Sequence, residues 1–274
     1  MSVRLIPRLD IKAPNLVKGV HLEGLRVLGD PARFARFYYQ QGADELLYMD
    51  IVASLYQRNT ILELVQATSQ EIFIPLTVGG GLRSLEDMRR ALGRGADKVA
   101  LNTAALARPE LIREAAREFG SSAVVVSIEA KRRPQGGYEA YCDCGRERSR
   151  REVVEWARQA CDLGAGEILL TSIDQEGTGG GYDLELTRLV SRAVPVPVIA
   201  CGGAGRPGDL VRVVKEGQAD AVCLASLLHY SALEQEPGLA GQAGTGPRRF
   251  SRVARAGLGR LKARLGQEGI PCRP

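Results

Sequence analysis

A closed (βα)8 barrel, the TIM-barrel form of the α/β class, is the fold that this sequence predicts. Short apolar runs alternate with amphipathic segments of helix length, and eight such pairs suit the roughly 250 residues of one barrel. The runs are rich in Val, Ile and Leu, which is typical of parallel strands covered by helices. The two halves of the chain also resemble each other, so we expect one barrel domain over residues 1–274, with half-barrel repeats at about 1–120 and 121–230. A doubly wound sheet is the second architecture that this alternation allows.

The predicted elements follow one another along the whole chain. The strands span residues 4–10, 46–51, 72–78, 98–101, 123–128, 167–172, 196–200 and 221–225. Pro31 after Asp30 opens the first helix, and Ser84 is a candidate N-cap of a later one. Residues 132–148 break the alternation and predict a β-hairpin after the fifth strand. The glycine-rich stretch 234–247 predicts a surface loop before a C-terminal helix.

Composition excludes several classes of protein. Of the 274 residues, 45% are hydrophobic and 25% are charged, the balance of a globular protein rather than a disordered or fibrous one. No apolar run approaches the roughly 18 residues of a membrane helix and no signal segment is visible, so we expect a cytoplasmic protein with no membrane partner. The six cysteines lack the spacing of a disulfide framework and are expected to be free thiols. Cys142 and Cys144 stand close together, but a metal site needs further ligands, so we expect a hairpin turn, no metal ion and no cofactor.

The net charge of +5 comes largely from a basic C-terminal segment without acids, residues 247–265. A basic helix of this kind can contact nucleic acid. Apolar residues at helical spacing favour instead an outer barrel helix whose charges face solvent, so we expect no nucleic-acid partner. The residues expected to face inward are Phe250, Val253, Leu258, Leu261 and Leu265.

The internal repeat brings two acidic residues into matching positions. G-A-D-E-L at Gly42 corresponds to G-A-G-E-I at Gly164, and Asp10 and Glu129 end the first apolar run of each half. Catalytic residues of such barrels lie at the C-terminal ends of the strands. We therefore predict that Asp10 and Glu129 face each other across the mouth and share general acid and base catalysis. Capping of a loop, or pairing with the lysine two residues further on, is the structural alternative for each acid.

Glycine-rich loops follow two further strands and are related by the same repeat. Glycine lets the backbone approach an anion closely, and helix N-termini carry unpaired N–H groups. Two such loops predict a substrate with a phosphate at each end. Lys18, in a predicted loop after the first strand, is placed to close over an anion, with a solvated lysine as the alternative. The other residues predicted to hold phosphates are Gly80, Gly81, Asn102, Thr103, Gly202, Gly203 and Ser226.

Long, nearly continuous motifs carry a family resemblance. They include L-I-P-R-L-D-I-K, F-I-P-L-T-V-G-G-G-L-R-S, G-A-D-K-V-A-L-N-T-A-A, G-A-G-E-I-L-L-T-S-I-D and G-Y-D-L-E-L-T. The chain resembles HisF, the cyclase subunit of imidazole glycerol phosphate synthase. The resemblance implies a lyase that uses ammonia from a HisH-like glutaminase to convert a bisphosphorylated ribulosyl aminoimidazole carboxamide ribotide to imidazole glycerol phosphate, in histidine biosynthesis. It also implies that Asp10 and Glu129 are the acid-base residues, that Lys18 lies in a mobile loop, and that Asp174 and Gly177 lie near the substrate.

Four charged residues at the starts of predicted strands match the ammonia gate of that family. They are Arg4, Glu45, Lys98 and Glu167. Solvated charges are common at such positions, yet two positive and two negative groups compensate each other, as charges at the bottom of a barrel must. The resemblance implies an ammonia tunnel and a glutaminase docked on the N-terminal face of the barrel.

Several positions depart from the family pattern. Glu129 and Glu176 stand where aspartate is usual, and Cys201 stands where serine is usual. One methylene extends a carboxylate by roughly 1.5 Å, and a displacement of about 1 Å can cost on the order of 100-fold in rate. The segments P-R-L-D-I-K-A-P-N-L and H-L-E-G-L-R-V-L-G resemble HisF-like proteins of surface-sugar pathways. Delivery of ammonia to a sugar amidotransferase, for amidination of a nucleotide sugar, is therefore the alternative function.

Overall fold

Eight parallel strands close into a barrel at the centre of this protein. The computed structural model describes residues 2–53, 61–240 and 253–273, and strands β1 to β12 and helices α1 to α10 are numbered along these ranges. The strands are Arg4–Lys12, Asn15–Val20, Glu23–Gly29, Leu46–Asp50, Leu76–Gly79, Lys98–Leu101, Val124–Arg132, Tyr138–Cys142, Glu147–Glu152, Glu167–Ser172, Val198–Cys201 and Ala221–Leu224. The helices are Pro31–Gln40, Leu62–Ser69, Leu85–Gly93, Thr103–Ala107, Glu110–Phe119, Val153–Asp162, Leu184–Ser191, Pro207–Lys215, Ser226–Gln235 and Leu258–Gln267.

The order of the strands confirms the predicted barrel. β1, β4, β5, β6, β7, β10, β11 and β12 pair in parallel in that order, and β12 pairs back with β1. A doubly wound sheet would leave two edges open, so that alternative is wrong. Because all eight strands are parallel, their C-terminal ends meet at one face, which is where such barrels carry their active sites.

All eight predicted barrel strands are present, with some shifted ends. β5 and β11 begin later than predicted, at Leu76 and Val198. A proline immediately precedes each of these starts, and pairing begins after it because proline has no N–H group to donate. β1 and β7 run beyond their predicted ends to Lys12 and Arg132 because each continues into an antiparallel hairpin.

The hairpin on β7 confirms a prediction from the sequence. β8 and β9 form it, and β9 extends a few residues beyond the predicted end, to Glu152. Asp143 and Cys144 adopt positive φ angles of 49° and 56°, so a turn is confirmed between the neighbouring cysteines. Cys142, Asp143 and Glu147 could each offer a ligand atom in this partly exposed turn, and these atoms all lie within 4.8 Å of one another.

The hairpin on β1 differs from the predicted loop. β2 pairs with both β1 and β3, although N-L-V-K-G-V at residues 15–20 has neither clear alternation nor a bulky apolar run that would indicate a strand. Lys18 is only 2% exposed in β2, so both its predicted loop position and the solvated alternative are wrong. Its Nζ instead forms ion pairs with two buried acids of the barrel mouth, Asp10 and Glu176.

Alternation along the barrel strands arranges the interior in layers. In β1, the side chains of Arg4, Ile6, Arg8 and Asp10 lie on one face, in order from the N-terminal end to the mouth. Ile6 belongs to an apolar layer inside the barrel, between the charged bottom and the polar mouth. Other members of this layer are Leu47, Ala100, Val125, Leu169, Ile199 and Ala221.

The outer helices start at the predicted caps. The Asp30 carboxylate accepts a hydrogen bond of 2.8 Å from the Ala32 N–H at the start of α1. Ser84 caps α3 and forms a capping box with Asp87. Along the described ranges, no helix combines the length and the apolar character needed to cross a membrane.

The C-terminal helix α10 covers the outside of the barrel. Leu258, Leu261 and Leu265 are buried as their spacing predicts, and Val253 is partly buried. Phe250 lies outside the described residues. The stretch predicted as a glycine-rich loop begins instead with the end of α9 and a 3-10 turn at Pro237–Ala240, and its residues beyond 240 are also outside the described ranges.

Candidate active site

Two buried carboxylates lie at opposite sides of the barrel mouth. Asp10 is on β1 and Glu129 is on β7, which are separated by four positions around the eight-stranded ring. They are 3% and 6% exposed, respectively. The structure therefore places both residues as the repeat predicts, within the strands rather than in loops.

Asp10 lies between two cations. Arg8 Nε donates to Asp10 Oδ1 at 2.7 Å, and Lys18 Nζ lies 3.7 Å from Asp10 Oδ2. Burial would raise the pKa of Asp10, but attraction first from Arg8 and then from Lys18 outweighs burial and holds the pKa below its ordinary value. Asp10 is consequently ionised at neutral pH.

Glu129 has a different environment. Its Oε2 accepts a hydrogen bond of 3.0 Å from Asn102 Nδ2, and its carboxylate also accepts from the backbone N–H of Gly145. Both donors are neutral, so burial dominates and raises the pKa of Glu129 to about 7, although attraction from Arg8 opposes it. A carboxyl group with this pKa can both give and take a proton near neutral pH.

An open cavity of about 450 Å³ adjoins Glu129. Five residues predicted for the site line it: Gly80, Gly81, Asn102, Thr103 and Glu129. It also contains residues that the motifs did not single out, among them Arg83, Arg108, Ser127 and Asp143. The arginines suit an anion, and the position of Arg83 two residues after the glycine run is the signal in the sequence that could have found it.

The glycines of this cavity allow a close approach of two backbone segments. Gly80 has a φ of +93°, and a Cβ atom there would lie 2.1 Å from the backbone oxygen of Asp50. No side chain fits in that space, so the loop requires glycine for its own shape as well as for any anion.

The second glycine loop is closed in this structure. Gly177, Gly202, Gly203 and Ser226 come together there, as predicted, but with only about 10 Å³ of free space among them. Lys18 forms an ion pair with Glu176 at its edge. The backbone N–H of His21 donates to the backbone oxygen of Glu176 at 2.9 Å, and the ring atom Nδ1 of His21 lies 2.9 Å from the backbone oxygen of Ile173. These contacts bind the β2–β3 hairpin to the loop after β10.

Asp174 does not join either phosphate region. Its Oδ2 accepts a hydrogen bond of 2.8 Å from the Arg132 backbone N–H, and it lines a separate outer groove with Arg133 and Tyr182. In this conformation it supports the end of β7 rather than the cavity beside Glu129.

At the other end of the barrel, the four predicted gate residues form a closed ring. Arg4 Nη1 lies 2.6 Å from Glu45 Oε1 and 2.7 Å from Glu167 Oε1. Lys98 Nζ lies 3.2 Å from Glu45 Oε2 and 2.9 Å from Glu167 Oε2. Each cation thus bridges both acids, and the ring is electrically neutral.

Comparison with known proteins decides the family. A family model described as histidine biosynthesis protein matches residues 4–234. A relative in Legionella pneumophila, named imidazole glycerol phosphate synthase subunit HisF, is 61% identical over 205 residues, which cover 75% of this chain and 97% of the relative. The chain belongs to the HisF family. A second HisF, from Alkaliphilus metalliredigens strain QYMF, is 52% identical over 231 residues, which cover 84% of this chain and 92% of the relative.

As a HisF family member, the protein places glutamates at two positions around its mouth where aspartate was expected. The longer Glu129 side chain is accommodated by Asn102 and Gly145, and Glu176 reaches the buried Lys18. The third departure, Cys201, lies inside the barrel, and its Sγ is 3.6 Å from Arg8 Nη1. Each departure therefore has a defined partner.

Proposed function

We propose that this protein is the cyclase subunit of an imidazole glycerol phosphate synthase. It uses ammonia from a glutaminase subunit to convert the bisphosphorylated ribulosyl aminoimidazole carboxamide ribotide to imidazole glycerol phosphate, and it releases an aminoimidazole carboxamide ribotide. The observation that carries the proposal is the placement of Glu129, a carboxyl group with a pKa of about 7, at the wall of a cavity whose other wall is a glycine loop. Membership of the HisF family supports the choice of reaction.

The substrate spans the mouth between the two glycine loops. One phosphate binds at Gly80 and Gly81 and at the N-terminus of α4, where Thr103 is the first residue. The other binds at Gly202, Gly203 and the start of α9. Because the second loop has little free space, the β2–β3 hairpin moves outward when the substrate enters. Glu129 then exchanges protons with the reacting centre while Asp10 supplies a fixed negative charge.

Ammonia travels from the bottom of the barrel to this mouth. The neutral gate ring stands at the entrance, and the apolar layer around Ile6 and Leu169 lies above it. A neutral ammonia molecule crosses such a layer far more easily than ammonium does, because an ion would lose its hydration. The glutaminase docks on the N-terminal face, where Phe73, 81% exposed, precedes β5 and packs its ring against Tyr39. An exposed aromatic side chain at the N-terminal end of a barrel strand suits a protein interface.

Turnover with ammonium salts tests the proposal directly. The purified protein with the ribulosyl substrate and excess ammonium is expected to form imidazole glycerol phosphate without a glutaminase. Glu129→Gln keeps the size of the side chain but cannot exchange a proton, so kcat falls about 100-fold or more. Glu129→Asp is the matched control, because it retains an acid and keeps measurable turnover. Absence of product from the wild-type protein above the uncatalysed rate would reject the cyclase assignment.

The ring at the bottom of the barrel has its own test. Lys98→Met removes one of the two cations that bridge Glu45 and Glu167, so the acids repel each other and the entrance is distorted. With a HisH-like glutaminase, glutamine-dependent turnover is expected to fall about tenfold while ammonium-dependent turnover stays near the wild-type value. An equal loss of both activities would contradict a role for the ring in ammonia transfer.

Amidination of a nucleotide sugar, with a sugar amidotransferase as partner, stays the alternative prediction. No contact in the described residues favours it over cyclisation, and both named relatives are HisF subunits. The ammonium assay separates the two functions, because a subunit that serves only as a conduit forms no imidazole glycerol phosphate.

A further inference from the structure

Arg8 is a buried guanidinium group at the mouth of the barrel. It is 1% exposed and lies on the inner face of β1, two residues before Asp10. Its Nε donates to Asp10, and its Nη1 lies 3.3 Å from Thr171 Oγ1 on β10 and 3.6 Å from Cys201 Sγ on β11. The side chain therefore connects three strands, which holds its planar donor group in one orientation.

The two carboxylates differ in what surrounds them. Both oxygens of Asp10 face cations, and Asp10 lines a cleft of only about 10 Å³ under the β2–β3 hairpin. Glu129 receives hydrogen bonds from neutral donors, Asn102 and Gly145, and it lines the open cavity of about 450 Å³. Of the pair, only Glu129 is in contact with space that a substrate can occupy in this conformation.

We propose that Arg8 is a positioning residue that gives the two carboxylates different roles, which we call the division of roles. It keeps Asp10 ionised, and it leaves Glu129 as the group that exchanges protons with the substrate. The inference deepens the proposed function and rests on it for the identity of the reaction. In the cycle, the protonated Glu129 gives its proton to the substrate and later takes one back, so the protein ends in its starting state. Asp10 stays ionised throughout and stabilises positive charge that develops nearby.

The other titratable groups at the mouth agree with this division. Titratable groups facing the two acids come from the β2–β3 hairpin, the β8–β9 turn, the loop after β10, β11, β12 and α9: Lys18, Cys144, Arg146, Glu176, Cys201, Cys223 and His229. Lys18 is shared between Asp10 and Glu176. Burial lowers the pKa of His229 to about 3, so this histidine is neutral and adds no charge. Arg8 is thus the cation that approaches Asp10 most closely.

Direct titration of the carboxyl groups tests the division without any turnover assay. Asp and Glu side-chain carboxyl carbons are labelled with ¹³C, and their resonances are followed by NMR between pH 5 and 9. In the wild-type protein, a resonance lost in Glu129→Gln is expected to titrate near pH 7, while the resonance lost in Asp10→Asn stays flat. In Arg8→Met, the Asp10 resonance is expected to titrate within the window, and the Glu129 midpoint to move to higher pH by about 1.

Kinetics with ammonium salts supply the second readout. Arg8→Met is expected to lower kcat about 100-fold with KM within about threefold of the wild-type value, and to move the pH profile of kcat with the Glu129 midpoint. Arg8→Lys keeps the charge and is expected to restore the wild-type profile in part. Arg36→Met, which removes an exposed ion pair with Glu71, is the control and leaves the profile unchanged.

Four outcomes are decisive. An Asp10 resonance that titrates in the wild-type protein, or an Arg8→Met variant with unmoved midpoints, overturns the inference. If Arg8→Met does not fold, the double variant Arg8→Met with Asp10→Asn replaces it, because removal of both partners leaves no uncompensated charge. A Glu129 midpoint at higher pH than in Asp10→Asn alone supports the inference, and an equal midpoint overturns it. If the wild-type protein forms no product but the predicted titrations are seen, the proposed reaction fails and the division of charge holds.

Discussion

The two halves of the barrel place an acid at the same position but surround it differently. In the first half, β1 presents R-L-D, with Arg8 two residues before Asp10 on the same face of the strand. In the second half, β7 presents S-I-E, with Ser127 at the position of Arg8. Burial raises the pKa of Glu129 above its ordinary value, whereas the adjacent cations Arg8 and Lys18 outweigh burial and hold the pKa of Asp10 below its ordinary value.

The comparison shows that matching positions in the two halves share their backbone geometry, whereas the neighbouring side chains determine the ionisation of each acid. The glycine loops show the same separation. A Cβ on Gly80 would meet the backbone oxygen of Asp50, and one on Gly202 would meet the backbone oxygen of Ser172, which is the corresponding residue of the second half. Yet the first loop borders a cavity of about 450 Å³ and the second a space of about 10 Å³. We take the shared loop geometry as support for our interpretation of two half-barrel repeats.

Replacing the corresponding glycines tests how far the halves agree, and it has the largest expected effect on stability. Gly80→Ala is expected to cost about 4 kcal/mol, because the Cβ would lie 2.1 Å from a backbone oxygen at a φ of +93°. Gly202→Ala, with 2.8 Å to the corresponding oxygen, is expected to cost about 2 kcal/mol. Gly93→Ala is the control, because its Cβ would meet no atom within 4 Å. Urea unfolding measures all three, and equal costs would contradict the steric explanation.

The pH dependence of stability is expected to separate the two acids by sign. The pKa of Glu129 rises from 4.5 to about 7 on folding, so the folded state binds more protons than the unfolded state between these values. Wild-type stability is therefore expected to fall by about 3 kcal/mol relative to Glu129→Gln as the pH rises from below 4.5 to above 7.

Asp10 is expected to act in the opposite direction. Its folded pKa lies below 3.8, so its contribution to stability is present above that pH and is lost as the pH falls through the folded value. Unfolding free energies of the wild-type protein and Asp10→Asn are compared over the same acidic range. Parallel pH curves for Glu129→Gln and Asp10→Asn would mean that the two environments are equivalent.

Several features of the site were predictable because they depend on patterns within one segment. Period-two alternation along β1 is enough to place Arg4, Ile6, Arg8 and Asp10 on one face of the strand. The matching position of Glu129 followed from the internal repeat. The predicted loop around Lys18 was wrong because a six-residue strand with an isolated lysine and glycine has no pattern of its own, and only its pairing with β1 and β3 defines it.

The sequence by itself determined the barrel, the positions of the two acids and the types of residue in the charged ring at the N-terminal end of the barrel. Tertiary structure decided which acid faces open space, which cation keeps the other acid ionised, and which contacts bury Lys18. The reason is the distance along the chain over which these contacts form: Arg8 meets a residue 163 positions away, and Lys18 meets one 158 positions away. Periodicity is a local property, whereas the charge state of a buried group depends on every strand that closes around it.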